Sequence, residues 1–259
     1  MRTALVIILC GLLLPAITVS QTIEGAQSAI EIKQYDSAQN ILKKLLDDDK
    51  NNVAAISLLA KVYYLKGQHD RADREIRKAI GKDKTYIPAY LVRAEILINR
   101  PRKSMIENRN LAIVTLNRAL EISPHEKAVL FMLQEVCFDN GRYEDAYNTV
   151  QTIKSIYPDE VEGYLACINI LPYYELNVLK SSSLIEENLF KIYYNEALTP
   201  EQLFTMGWNF LICDKPDEAY ECFRKGIDTG NPVSYDIFLT AGLAAYSANK
   251  FLESHDYYI

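Results

Sequence analysis

Six small side chains recur along this chain at a nearly fixed interval. Ala38, Ala72, Ala112, Ala146, Ala219 and Ser254 are separated by steps of 34, 40, 34, 73 and 35 residues. The step of 73 divides into one of 34 and one of 39, so a degenerate unit lies within it. Each small residue falls inside a stretch whose apolar residues follow helical spacing. A chain patterned this way stacks units side by side. No unit can bury its apolar face alone, and each is completed by its neighbours.

The remaining positions keep the same register. The clearest unit is 127–160, with Leu130, Leu133 and Cys137 on a first helix, Gly141 and Tyr143 at a turn, and Ala146, Val150 and Ile153 on a second helix before Pro158. Unit 53–86 repeats this with Ile56, Leu59, Ala60, Tyr63, Gly67, Ala72, Ile76 and Ala79, and unit 200–233 with Leu203, Met206, Gly207, Phe210, Ala219 and Phe223. Small residues on the first helix (Ala60, Ala94, Gly207, Gly242) allow close approach of the paired helix. Those on the second helix (Ala72, Ala112, Ala146, Ala219) receive a bulky neighbour. Gly67 and Gly141 suit the left-handed conformation that ends a helix, and Pro124, Pro158 and Pro232 stop the second helices.

On these residues the chain resembles the tetratricopeptide-repeat family over nearly all of its length after residue 20. The resemblance implies an all-α fold, a right-handed superhelical solenoid of antiparallel helix hairpins, with about seven units. The expected units are 21–52, 53–86, 87–126, 127–160, 161–199, 200–233 and an incomplete 235–259. Three departures stand out. Unit 87–126 carries extra residues at the turn 99–108, among them the basic Arg100, Arg102 and Lys103. In unit 161–199, Pro172 is expected to close the first helix early. An irregular stretch 173–183 then leads to a second helix capped by Ser183, with Glu186 three residues on. That helix carries Ile185 where other units have a small residue. The last unit stops partway through its second helix, which leaves open a longer protein whose catalytic part follows Ile259.

Residues 1–20 read as a secretory signal. Arg2 precedes an apolar run from Ala4 to Val19, too short for a typical membrane span, and Thr18, Val19 and Ser20 are small residues before a cut. The expected setting is therefore extracytoplasmic, in a bacterial periplasm, with no integral membrane span after cleavage. The formal net charge of −6 and the absence of a dense Lys/Arg cluster argue against nucleic acid as a partner.

No phosphate loop, dinucleotide fingerprint or nucleophile elbow is present, so neither catalysis nor a cofactor is expected. His69, His125 and His255 fall in separate units, which disfavours a metal site. Cys137, Cys167, Cys213 and Cys222 read as free thiols: the first two take inward helix positions where small apolar residues belong, and antiparallel geometry puts Cys213 and Cys222 beyond disulfide reach. The expected activity is that of a scaffold or adaptor. The family resemblance implies a concave groove, lined by first helices, that receives a protein or peptide. Carried over in register, its contact residues are Tyr64, Phe131, Glu135, Phe138, Phe204, Trp208 and Tyr246. Phe204 and Trp208 are expected to face away from their paired helix. The family's clamp for C-terminal carboxylates is not matched, because the corresponding positions hold Ser57 and Lys61, Leu91 and Glu95, and Phe131 and Glu135. A structural part in an envelope assembly or secretion machine is the alternative.

Overall fold

Among the described residues, the left-handed residue that ends a first helix recurs at five places, and only two of them hold glycine. Lys33, Gly67, Gly141, Asp214 and Asn249 all have positive φ, between 56° and 72°. In each turn the next residue donates its N–H five positions back, as in Gln68 to Tyr63 and Arg142 to Cys137, both at 2.8 Å. The left-handed residue itself bonds three positions back, as in Gly67 to Tyr64 at 2.8 Å. This bonding satisfies carbonyls that a helix end leaves without partners and reverses the chain in three residues.

A computed structural model of the chain describes residues 22–100, 105–229 and 233–258. Residues 1–20, Arg102, Lys103 and Pro232 lie outside the described residues. Among those described there are fourteen helices and no strand. The helices are α1 (Ile23–Glu31), α2 (Tyr35–Asp48), α3 (Val53–Leu65), α4 (His69–Lys82), α5 (Ile87–Ile98), α6 (Met105–Ile122) and α7 (Lys127–Asp139). They continue as α8 (Tyr143–Ile156), α9 (Val161–Tyr174), α10 (Val178–Ile192), α11 (Pro200–Ile212), α12 (Pro216–Ile227), α13 (Tyr235–Ser247) and α14 (Phe251–Tyr258). The fold class is thus all-α, a succession of helix hairpins of the solenoid kind. The chain divides into two compact units, one ending at Ile96 and the other beginning at Leu97.

In the first unit, α1 packs on α2, α2 on α3 and α3 on α4. Two apolar clusters fill the spaces between them. One joins Ala26, Ala38, Ile41, Leu42 and Leu59; the other joins Ile56, Ala60, Ala72, Ile76 and Ala89. In the second unit each helix from α6 to α14 packs on its successor. Large side chains meet small ones there. Phe223 of α12 lies over Gly207 of α11, where an added Cβ would stand 2.8 Å from the ring. Phe204 of α11 lies over Gly226 of α12 in the reciprocal arrangement, with only 2.4 Å left for a Cβ.

The degenerate unit departs from the sequence-based expectation. Pro172 does not end α9, which runs two residues further to Tyr174. Proline removes the partner of one carbonyl only, and in a last turn that loss is small. The irregular stretch shrinks to 175–177, between α9 and α10. α10 begins at Val178 under an Asn177 cap, whose side-chain oxygen accepts the Lys180 N–H at 3.1 Å, and not under Ser183. Ile185 is buried, and α10 also buries two polar side chains, Ser181 and Asn188. Asn188 accepts from the Lys154 ammonium of α8 at 2.5 Å.

Two measurements test this packing. Lys33 pays the left-handed cost that glycine avoids, so Lys33→Gly should raise stability by up to about 1 kcal/mol in chemical denaturation. Gly207→Ala forces a methyl group into a buried ring and should destabilise by about 1–3 kcal/mol. An unchanged denaturation midpoint for Gly207→Ala would mean that α11 and α12 separate at no cost.

Candidate partner-binding groove

α7 and α9 are the first helices of adjacent hairpins, and a groove of about 360 Å³ opens between them. Its lining includes Phe131, Glu135 and Phe138 from α7 and Leu165, Ala166 and Asn169 from α9. The sequence sets this face. Phe131 and Phe138 are two helical turns apart with Glu135 between them, and Leu165 and Asn169 are one turn apart on α9. Both phenylalanines are half-buried and Glu135 is exposed. The Lys127 ammonium lies 6.0 Å from the Phe131 ring and is held in an ion pair by Glu160. Glu135 makes no ion pair among the described residues, so the groove couples an apolar floor to an uncompensated carboxylate.

Phe138 closes one end of this face on an aromatic cluster. Its ring meets Tyr143 at 5.6 Å and Tyr173 at 5.3 Å, both edge-on. Tyr143 in turn stacks on Tyr173 at 5.1 Å, and Tyr147 stacks on Tyr174 at 4.1 Å with the planes within 9°. The tyrosines of α8 and the end of α9 thus tie the two hairpins together.

The other expected contact residues lie elsewhere. Phe204 stacks on Phe223 at 6.3 Å and Trp208 meets the same ring edge-on at 5.9 Å. Both touch the paired helix α12, contrary to the expectation that they face away from it. The notches at Gly207 and Gly226 are the reason, since rings fill the space that absent side chains leave. Trp208 nonetheless keeps 44% of its surface exposed. Tyr246 is exposed and rests edge-on against Phe251 of α14 at 5.4 Å. Tyr64 belongs to the first unit, where it is half-buried 5.8 Å from the His69 ring. Burial, and secondarily Glu95, push the Tyr64 phenol above its usual range. Lys61, at the position equivalent to Glu135, is neutralised by Glu95 at 2.9 Å.

Leu165 and Asn169 were not among the expected contacts, although the register in which Val161 opens α9 places them opposite Phe131 and Glu135. Tyr143 and Tyr173 were missed because the cluster depends on how α9 ends.

The four cysteine thiols among the described residues are not activated. Burial raises the Cys137 thiol to about 11 and the Cys222 thiol to about 12, and it pushes Cys167 and Cys213 upward as well. Such thiols stay protonated at neutral pH and are poor nucleophiles. All four are free. Among the described residues no three His, Cys, Asp or Glu side chains form a group able to hold a metal ion. No helix among them is long and apolar enough to cross a membrane.

Comparison with known proteins places this architecture. A family described as tetratricopeptide repeat matches residues 29–96 and 107–166. A search of curated protein sequences finds no match. Among solved structures, PilF of Pseudomonas aeruginosa superposes with a TM-score of 0.61 at 16% identity, covering 78% of this chain and 87% of that one. MamA superposes with a TM-score of 0.53 at 23% identity, covering 68% of this chain and 94% of its own. YrrB, described as a tetratricopeptide-repeat protein with an unusual peptide-binding site, gives 0.52 at 15% identity, covering 81% of this chain and 97% of its own. At these identities the likeness speaks for the fold. With its in-phase small residues, its hairpin turns and its family match, the chain is a tetratricopeptide-repeat protein.

Proposed function

We propose that this protein is an exported adaptor that holds a segment of another protein in the groove between α7 and α9, acting by binding and not by catalysis. The observation that carries the reading is the groove itself, where Phe131, Glu135 and Phe138 converge on Leu165, Ala166 and Asn169. Half-buried aromatic rings offer contact area at little conformational cost, and aromatic residues are enriched among binding hot spots. Glu135 selects for positive charge on the occupant, because a cation there meets a carboxylate without a competing partner. Trp208 and Tyr246 are exposed enough to extend contact along the array, while Phe204 serves packing against α12. The N-terminal pattern of Arg2 followed by an apolar run supports export through the secretory route.

Two experiments test this. A photo-cross-linking side chain at position 135 should capture a discrete partner. Glu135→Lys should weaken that partner's binding by about 1.4 kcal/mol or more, a factor of ten, with stability within about 0.5 kcal/mol of the parent. Phe131→Ala should weaken it by about 2 kcal/mol. Unaltered binding in both variants would remove the groove from the interface. For export, the mature protein should begin near residue 21 by N-terminal sequencing, and a retained Met1 in the cell interior would contradict it.

A further inference from the structure

Outside the groove, at the junction of α9 and α10, three aliphatic side chains stand in solvent. Leu176 is 86% exposed, Val178 76% and Leu179 85%. They follow directly on Tyr173 and Tyr174, which are also exposed and whose rings are pinned by the stacks on Tyr143 and Tyr147. Packing does not require these aliphatic residues: α10 buries Ser181, Ile185 and Leu189 instead. The result is an apolar shelf on a rigid aromatic base. Clusters of exposed large apolar side chains mark interaction sites more often than chance.

The charges around the shelf define its occupant. Arg142 is paired with Asp145 at 2.6 Å and Lys180 with Glu175 at 2.5 Å. Two carboxylates remain. Glu144 lines the depression formed with Tyr143, Tyr173 and Tyr174, and Glu187 lies within electrostatic reach of the Tyr147 phenol. Neither makes an ion pair among the described residues, and both are exposed. A surface of leucines and tyrosine faces with two unpaired carboxylates complements a segment that carries aliphatic and cationic side chains, since ammonium and guanidinium groups favour both carboxylates and tyrosine rings. The shelf is short, and a stable dimer needs about 800 Å² and 20–30 residues on each partner, which favours a short segment over a second copy.

We propose that the shelf of Tyr173, Tyr174, Leu176, Val178 and Leu179 is a second docking surface, which takes a short basic, leucine-bearing segment of a partner protein. It is separate from the groove occupant, although Phe138 touches both surfaces. The test uses the full chain and two fluorescein-labelled 14-residue amphipathic peptides, one of leucine and lysine and one of leucine and glutamate, read by anisotropy. The lysine peptide should bind at least tenfold more tightly than the glutamate peptide, and the preference should shrink in 0.5 M salt. Leu176→Ser with Leu179→Ser should reduce lysine-peptide binding at least tenfold. Because both side chains are exposed, the double variant should keep the parent's circular dichroism and melting. Glu144→Lys with Glu187→Lys should abolish the charge preference. Phe131→Ala, in the groove, should reduce lysine-peptide binding by less than the leucine double variant does, because the groove is a separate site that can itself take a cationic segment. If Phe131→Ala abolishes binding and the leucine variants do not, the peptide occupies the groove and the shelf proposal falls while the groove reading stands. Equal binding of both peptides overturns the proposal. So does a concentration-dependent dimer in sedimentation that the leucine variants dissociate, because the occupant is then a second copy. Flotation with phosphatidylcholine vesicles that depends on the same leucines also overturns it, in favour of a lipid surface.

Discussion

Close approach of helices at residues with little or no side chain underlies every other feature of this protein. Ala38, Ala60, Ala72, Ala112, Ala146 and Ala219 have no exposed surface, and each lets a neighbouring helix come near enough for larger side chains to interdigitate. Where glycine takes the role, the fit is tighter still: Phe223 occupies the notch at Gly207 and Phe204 the notch at Gly226. Helix propensity alone would not hold these segments, several of which are 12–14 residues long. Packing holds them, and the packing is nearest-neighbour in kind, so each hairpin's stability depends on the ones beside it.

Polar contacts trim this arrangement without driving it. Lys66 with Asp36, Lys215 with Glu186 and Lys250 with Asp217 each join a turn to a helix of the preceding hairpin. These pairs lie at partly exposed rims, where ion pairs contribute little net stability. Their value is in register, since a shifted hairpin would separate the charges. Tyr90 and Tyr164 play a related part by donating their hydroxyls to carbonyls six residues back, at Lys84 and Pro158, which fixes the chain where one hairpin passes to the next. Six of the chain's eighteen tyrosines are accounted for by such bonds and by the stacks around Phe138.

The degenerate unit shows how a repeat acquires a new surface without losing its core. α9 tolerates Pro172 in its last turn and keeps Cys167, Ile168, Ile170 and Leu171 buried. α10 begins afresh from Asn177. The chain between them is released from the hairpin turn of the other units, and its apolar residues point away from the array. Phe138 stands where this irregular edge meets the α7–α9 groove, so the local irregularity and the proposed partner-binding surface are adjacent on the molecule.

The sequence by itself determined the repeat, its hairpin pattern and the pairing of Phe131, Glu135 and Phe138 on one helix face, because helical periodicity and a recurring step of about 34 residues are properties of order along the chain. It also indicated Gly67 and Gly141 as left-handed turn residues. It did not single out Lys33, Asp214 and Asn249 in the same role: Asp and Asn accept the left-handed region but serve in many other places too, and lysine gives no such signal, so the turn's bonding is what identifies them. Only the tertiary structure decided which aromatics are free. Phe204 and Phe131 share a repeat position, yet Phe204 is drawn onto Gly226 and Phe131 is left to line a groove. The difference lies on the opposing helix, where the presence or absence of a side chain sets how much room a ring finds. That room depends on contacts between segments distant in sequence, and so it is settled only when the helices meet.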